Sequence, residues 1–568
     1  MEVACEMNND EINKRIGIIQ IFMNGLFLIL TGYLFCVQVL DFDDYRERGI
    51  AIRTTDSTVL RGDIKDRNGM ILATDQYIYE VYAHPTKYTL KHPPKEIAHK
   101  LAPILKMPED ELLKKLKSKK INIIAVKKDA TREMAQKIRK LNYQAISVET
   151  INKRFYPQDK VASHIVGFYN RMADSANGIE NIAGDKLQKT DKKVSYQRRA
   201  NGDVIFDFKT DVKSLTEKQK GEDVTLTIDT SVQYVCEKEL ENAIKEKKAQ
   251  RGSIIVMDVK NGEILAYASY PNFNPNRYWK FSQEQMKNWS LTDIYPPGST
   301  FKIITVATAM ELGAINENSK IPDSGKVVID GHKIQNYDYD RHPNPGMISL
   351  EYLFEHSSNV GSANIALMLN PVKYYSKLKD FGFGQKTGID LTAESIGLLA
   401  EPENWYKSKQ ASMGYGYGAS VTAIQMISAV SAIANGGIWN TPHVIKYGKE
   451  ELPQHVKSRR VMSEYNAKTL TKILAKSISN GKSVLNLDNY AVAAKTGTSR
   501  KNVNSGRDVF ASAIGYFPAT DPKVAIYVVI DSPRTASNFG STVASPTWAK
   551  VAKEVGVLLN IPSDRRAK

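Results

Sequence analysis

The chain has 568 residues, of which 42% are hydrophobic and 25% charged. That is too long for one core and too ordinary in composition for a disordered chain, so two or three globular domains are expected. The net charge of +16 suits an anionic neighbourhood: nucleic acid, anionic lipid or an anionic wall polymer. No zinc-finger spacing or aromatic RNA-binding signature comes with it. The lysines are spread through helical stretches such as "ELLKKLKSKK" and "ENAIKEKKAQ", as on solvated faces. Cys5, Cys36 and Cys236 are far apart in sequence, which argues against both a disulfide framework and a Cys/His metal site.

The first element in chain order is an uncharged run of 22 residues, Ile16–Val37. It is long enough for a membrane-spanning helix of roughly 30 Å. The residues after it, "LDFDDYRERG", offer no small-residue cleavage site, so an uncleaved anchor is expected. Lys14 and Arg15 precede the run and Arg46, Arg48 and Arg53 follow it. The charge asymmetry therefore does not set the orientation. A short head and a long tail favour a translocated C-terminal body.

A mixed region follows, to about Lys220. Asn68-Gly69 in "RGDIKDRNGMILATD" signals a turn between two apolar runs. Helical spacing recurs in "KEIAHKLAPIL", "PEDELLKKLKS" and "TREMAQKIRKL". "DKLQKTDKKVSYQRRANGD" reads as a polar loop or exposed hairpin. From Gly221 the character changes. "GEDVTLTID" alternates like a strand, "TSVQYVCEKELENAIKEKK" has helical spacing, and "GSIIVMDVKNGEILAYASY" reads as two strands around a tight turn. Mostly helical segments run to about Asn480. The strands "YAVAAKTGTS", "VFASAIGYF" and "VAIYVVI" and a helix over "SPTWAKVAKEVGVLL" close the chain. Strands at both ends with helices between predict an α/β body whose sheet is completed by distant parts of the sequence.

Within that body, "IYPPGSTFKII" places Ser299 and Lys302 one helical turn apart, just after Pro296-Pro297-Gly298. A helix starting near Ser299 would put its hydroxyl at unpartnered backbone N–H groups. Alone, this is an ordinary cap and a surface lysine. Its companions change the reading: "SSN" at Ser357–Asn359 and "KTGTS" at Lys495–Ser499, the partner motifs of a serine acyl-transfer site. Decoys exist. Ser376–Lys379 and Ser479–Lys482 also fit S-x-x-K, Ser362–Asn364 fits S-x-N and Lys386–Gly388 fits K-T-G. "SKLK" lies in a lysine-bearing polar pattern, and "SNGK" carries a helix-breaking glycine. "GQKTGID" sits among glycines, whereas Lys495 ends the apolar run "AVAA", suited to a buried strand. Gly497 removes a side chain where a substrate backbone would approach.

In this order and context the chain resembles the class B penicillin-binding proteins over nearly its whole length. "RGDIKDRNG", "RFYP" at Arg154–Pro157 with His164 and Gly167, and "NGIE" at Asn177–Glu180 are similar to the N-terminal module of that family. "FGFGQKTGIDLTAESIGLL" with "SMGYGYGASVTAIQM" looks more like the septal, FtsI-like type than the elongation type. The choice of Ser357 over Ser362 follows the family pattern. The resemblance implies a multi-domain α/β protein: a cytoplasmic head (1–15), a transmembrane anchor (16–40), an elongated α+β pedestal of the dimerisation type (41–220) and a transpeptidase domain (221–568). The last would hold an antiparallel sheet flanked by helices.

The implied activity is a peptidoglycan D,D-transpeptidase at the plasma membrane, single-pass, with its catalytic domain outside the cytoplasm. Ser299 would be the nucleophile and Lys302 its base, neutral through burial or a nearby cation such as Lys495. Ser357 would relay the proton and Asn359 would hold Lys302 and the acyl amide. Thr496, Gly497 and Thr498 would bind substrate, and the N–H groups of Ser299 and Thr498 would form the oxyanion hole. The implied partners are stem peptides ending in D-Ala-D-Ala, β-lactams as covalent inhibitors, a membrane glycosyltransferase and division proteins, with no nucleic acid. No cofactor or metal is expected. His332 and His342 share a loop with Asp330, Asp338 and Asp340, and a metal site there is the lesser reading. Arg154, His164, Glu180 and His356 are read as structural. The rivals are a membrane-anchored β-lactamase or D,D-carboxypeptidase and a non-catalytic β-lactam sensor or division scaffold.

Overall fold

The computed structural model describes residues 9–35, 60–118, 123–170, 173–188, 197–198, 204–205, 220–480, 483–501 and 508–565. The chain divides into two compact units, Met1–Leu60 with Thr190–Lys220 and Arg61–Lys189 with Gly221–Lys568.

In the first unit, α1 (Asn9–Phe35) carries the apolar run. Ile16–Phe35 is a stretch of 20 residues with mean hydropathy 1.9, none of it buried. At about 1.5 Å per residue this helix is about as long as a bilayer core is thick. Such an exposed apolar helix fits a single-pass membrane anchor. The last two residues of the run expected from sequence, Cys36 and Val37, lie outside the described residues. Within "DKLQKTDKKVSYQRRANGD", Gln197–Arg198 pairs antiparallel with Val204–Ile205.

The second unit begins with β1 (Ile64–Lys65) and the long strand β2 (Ile71–Ala83). Asn68-Gly69 turns between them, with Gly69 at φ 89°. Then come α2 (Pro94–Leu105), α3 (Glu109–Leu116), β3 (Ile124–Ala130), α4 (Arg132–Lys140) and β4 (Ile146–Phe155). The strand β2 pairs antiparallel with β1, β3 and β4. Val81 and Ala83 of β2 pack with Ile97, Leu101, Leu105, Leu112 and Ile138 of the three helices. The stretch "GEDVTLTID" differs from its expected reading. Only Val224–Thr225 (β5) is strand, and it pairs parallel with β1, so these residues complete the pedestal's sheet.

The base of that module is fixed by charge. Glu180 accepts from Arg61 Nε at 2.7 Å and Arg154 Nε at 2.6 Å, and Arg154 also meets Asp75 at 3.2 Å. All but Asp75 have side chains at most 4% exposed. His164 donates through Nε2 to the Gln285 carbonyl oxygen at 3.0 Å. Burial pushes it down to about 4, so it is a neutral support.

Beyond α5 (Thr230–Lys247), β6 (Arg251–Asp258) and β7 (Ile264–Tyr270) form a hairpin. The chain then supplies α6 (Lys302–Glu311), β8 (Lys326–Ile329), β9 (His332–Gln335), α7 (Leu350–Glu355), α8 (Asn359–Met368), α9 (Ala423–Ala434) and α10 (Glu464–Asn480). It returns as β10 (Ala493–Arg500), β11 (Val509–Phe517) and β12 (Val524–Asp531), and α11 (Gly540–Leu558) follows. The five long strands form one antiparallel sheet in the order β7–β6–β12–β11–β10.

Both faces of this sheet are covered, which is why its strands read as apolar runs rather than strict alternations. Ile254, Val256, Val528 and Ile530 face α5 and α11 through Leu240, Val543 and Trp548. Their neighbours Ile255, Met257, Tyr527 and Val529 face the opposite core with Ile424 and Ile427 of α9 and Ile303 and Val306 of α6. That second core is continuous with Ile64, Leu72 and Tyr156 of the pedestal. Helix α6 is buried from Lys302 to Met310, the pattern of a helix surrounded by its own fold. The last helix starts five residues before the expected Ser545 and carries Pro546 inside it.

Candidate active site

Pro296-Pro297-Gly298 leads into a 3-10 turn, Gly298–Phe301, and α6 begins at Lys302. The helix thus starts three residues later than expected. Gly298 has φ 58°, and a Cβ on it would meet the Thr498 carbonyl oxygen at 3.0 Å and Ser499 Cβ at 3.2 Å. Ser499 Oγ donates to the Pro296 carbonyl at 2.5 Å, and Thr300 Oγ1 to that of Pro297 at 2.8 Å. The turn bearing Ser299 is therefore seated directly on β10. Ser299 is half-buried, and its hydroxyl has no hydrogen-bond partner among the described residues.

Lys302 is fully buried. Its Nζ donates to the Ser357 carbonyl at 2.6 Å, Ser357 Oγ at 3.2 Å and Asn359 Oδ1 at 2.8 Å. Burial first, and the Lys495 charge second, push the amine well below the ordinary lysine range, against the fields of Asp323 and Asp338. Lys495 is also buried, at 5% exposure, and burial lowers it to about 8.

The Ser357–Asn359 segment links α7 to α8. Ser357 sits at φ 51°, a left-handed conformation uncommon for a residue with a side chain, with its carbonyl on Lys302. Ser358 caps α8 by accepting from Gly361 N at 2.8 Å, and its Oγ donates to Asp323 Oδ2 at 2.6 Å. Asn336 Oδ1 accepts from the N–H groups of Asn359 and Val360 at 2.8 and 3.0 Å, while Asn336 Nδ2 donates to both Asp323 oxygens. Asn359 Nδ2 donates to the Gln335 carbonyl at 2.9 Å. Asp323 and Asn336 are the supports that sequence reasoning missed. Nothing in their spacing marks two buried polar residues as partners.

On the other side, β10 is an edge strand of the central sheet. Lys495, Gly497 and Ser499 are buried and alternate with half-buried Thr496 and Thr498, as strand geometry requires. Thr498 Oγ1 accepts from Gly540 N at 3.0 Å, joining β10 to α11. Gly497 has a packing role in addition to the one expected. A Cβ there would meet Ser512 Oγ at 2.6 Å, Thr300 Cγ2 at 2.9 Å and the Pro297 carbonyl at 3.1 Å. The glycine admits the Ser299 turn.

The decoys are placed elsewhere. Ser376 is exposed on the helix Pro371–Asp380, and Lys482 lies outside the described residues. Ser362 is buried inside α8 on the Ser358 carbonyl, and Thr387 is bound to Glu394. Of the five loop residues considered for a metal, Asp338 and His342 converge with His356. Asp330 instead accepts from Ser408 N at 2.7 Å.

A half-buried serine, a lysine whose pKa is lowered by burial and by a second lysine, and a Ser-x-Asn segment facing it define a serine acyl-transfer class of site. Residues 252–553 match the family described as penicillin binding protein transpeptidase domain, and residues 56–226 the penicillin-binding protein dimerisation domain. The chain belongs to the penicillin-binding protein transpeptidase family. It is 31% identical to stage V sporulation protein D of Bacillus subtilis (strain 168), over 96% of this chain and 86% of that one. It is 29% identical to peptidoglycan D,D-transpeptidase FtsI of Escherichia coli (strain K12), over 94% and 90%. A crystal structure of a peptidoglycan synthetase from Bifidobacterium adolescentis ATCC 15703 is 25% identical and aligns with TM-score 0.67, covering 90% of this chain and 97% of that one. Penicillin Binding Protein 2X from Streptococcus thermophilus, at 21% identity, shares the fold with TM-score 0.70 over 89% and 80% of the two chains.

Proposed function

We propose that the chain cross-links peptidoglycan stem peptides through an ester on Ser299, with its catalytic body outside the membrane. The observation that carries this is the buried Lys302 amine, one turn from Ser299 and held by Ser357 and Asn359. With Lys302 neutral, its lone pair takes the Ser299 proton as Oγ attacks the carbonyl between the two terminal D-alanines. The N–H groups of Ser299 and Thr498 receive the developing oxyanion. Collapse breaks the amide bond, and Ser357 passes the proton from Lys302 to the leaving D-alanine amine. The amine of a second stem peptide then attacks the ester, forms the new amide and returns the proton to Ser299. Lys495, Thr496 and Thr498 hold the donor's terminal carboxylate, and the open edge of β10 accepts the donor backbone as an added strand. β-Lactams enter by the same attack and remain as the ester.

We place the pedestal at 41–220 and the catalytic domain at 221–568. Within the family the septal type is favoured by the "SMGYGYGASVTAIQM" segment and by the likeness to FtsI. That reading carries with it a membrane glycosyltransferase and division proteins as partners. The test is to incubate the detergent-solubilised full chain with a stem pentapeptide and an excess of a D-amino acid, and to weigh the products. Exchange of the terminal D-alanine is expected. Hydrolysis alone would make it a carboxypeptidase, and no turnover in folded protein would favour a scaffold.

A further inference from the structure

The segment leading into Ser299, from Asp293 to Pro297, is tied to one end of the catalytic sheet at three points. Strand register sets four residues of that sheet in a row: Arg251 of β6, Asp531 of β12, Phe510 of β11 and Ser499 of β10. At about 4.8 Å per strand the row spans about 14 Å. At its β10 end, Ser499 Oγ donates to the Pro296 carbonyl at 2.5 Å. In the middle, the Phe510 ring meets the Tyr295 ring at 4.8 Å, and Tyr295 Oη donates to Tyr527 Oη at 2.8 Å. At the β6 end, Arg251 Nη1 donates to Asp293 Oδ2 at 2.7 Å. The ties follow chain order along the row, so the lead-in is laid across four strands before it turns into Ser299.

Arg251 is where the row and the lead-in meet. Its Nε donates to Asp531 Oδ2 at 2.8 Å while Nη1 serves Asp293. Its guanidinium lies 4.5 Å from the centre of the buried Trp289 ring. Asp531 is fully buried and also pairs with Lys501, the residue after β10. Asp293 also pairs with Lys287 at 2.5 Å. Each carboxylate therefore keeps a cation without Arg251. What the arginine adds is the bridge. Its rigid planar fork reaches two carboxylates at once, which the point charge of a lysine does not reproduce.

We propose that Arg251 is a positioning residue for acylation. By joining Asp293 to Asp531 it holds the lead-in in register with the sheet, and so fixes Ser299 and its N–H against Thr498 of β10. This rests on the reading of Ser299 as the nucleophile.

The test uses the full chain in detergent and a fluorescent penicillin at several concentrations, which separates the binding constant from the acylation rate constant. In Arg251→Met the rate constant should fall at least about tenfold, since small misplacements of reacting groups are costly. The binding constant should stay within about twofold, and both limbs of the pH profile should stay where wild type has them. Arg251→Lys keeps the charge but not the fork, and should remain slow. Asp293→Asn cuts the same tie at a partly exposed side chain and should slow acylation in the same way. Combining it with Arg251→Met should add little, because both remove one connection. Glu180→Ala, which weakens the pedestal, should acylate at the wild-type rate, so a lower Tm does not by itself give the effect. Acylation at the wild-type rate in Arg251→Lys or Asp293→Asn, or fully additive effects in the double variant, would overturn the proposal. A wild type that forms no adduct on Ser299 would overturn the reading of the nucleophile, and this proposal with it.

Discussion

At the scale of single residues, the chemistry turns on one amine being neutral at neutral pH. Lys302 has three acceptors around it, which suit an ammonium, yet burial and the Lys495 charge push its pKa well down. Proton abstraction from Ser299 requires the contact at 3.2 Å to Ser357 Oγ to yield first. Lys302→Gln is one atom shorter and keeps two N–H donors toward the same acceptors, but cannot take a proton. It should slow penicillin acylation by about 10²–10⁴-fold, the usual worth of a positioned base, with Ser299 still in place, as stopped-flow kinetics would show. The pH profile follows from the two signs. Acylation rises with pH as Lys302 deprotonates, and falls above pH about 8 as Lys495 loses its charge. Lys495→Arg stays charged, so although slower overall it should lose the alkaline limb. An alkaline limb unchanged in that variant would assign it to another group.

Elements explain how much of this was legible beforehand. Periodicity placed α2, α3, α4 and the five long strands, because each buries a face or both faces of a regular element. The S-x-x-K, Ser-x-Asn and Lys-Thr-Gly residues stood out because their spacing is local. What stayed hidden was long-range: Asp323 and Asn336, whose bonds to Ser358 and Asn359 cross 35 and 23 positions, and the pairing of β1 with β5. The left-handed Ser357 was equally invisible, since no residue type demands it. The packing role of the glycine of Lys-Thr-Gly stayed hidden too. Because β10 carries the Ser299 turn on its Gly497 face, Gly497→Ala should overpack that contact. We expect a loss of about 1–3 kcal/mol in denaturant unfolding together with slower acylation. Acylation at the wild-type rate would separate the glycine from the site.

Over the whole molecule, the pedestal and the catalytic sheet share a continuous core, and the Arg61–Glu180–Arg154 cluster locks the base of the former. Glu180 is fully buried between two arginines, so Glu180→Ala strands their charges and should cost about 3–5 kcal/mol of stability. Calorimetry should show the lower Tm, and the folded fraction should still acylate normally, since no residue of that cluster touches Lys302. An unchanged Tm would mean the cluster is relieved by solvent. The exposed apolar helix α1 fits tethering of this body to a membrane.

The most direct measurement is to react the detergent-solubilised full chain with a fluorescent penicillin, digest it and locate the adduct by mass, beside Ser299→Ala and Ser376→Ala. The predicted result is one long-lived adduct on the peptide containing Ser299, present in Ser376→Ala and absent from Ser299→Ala. A label on any other serine, or an adduct hydrolysed as fast as it forms, would contradict the account.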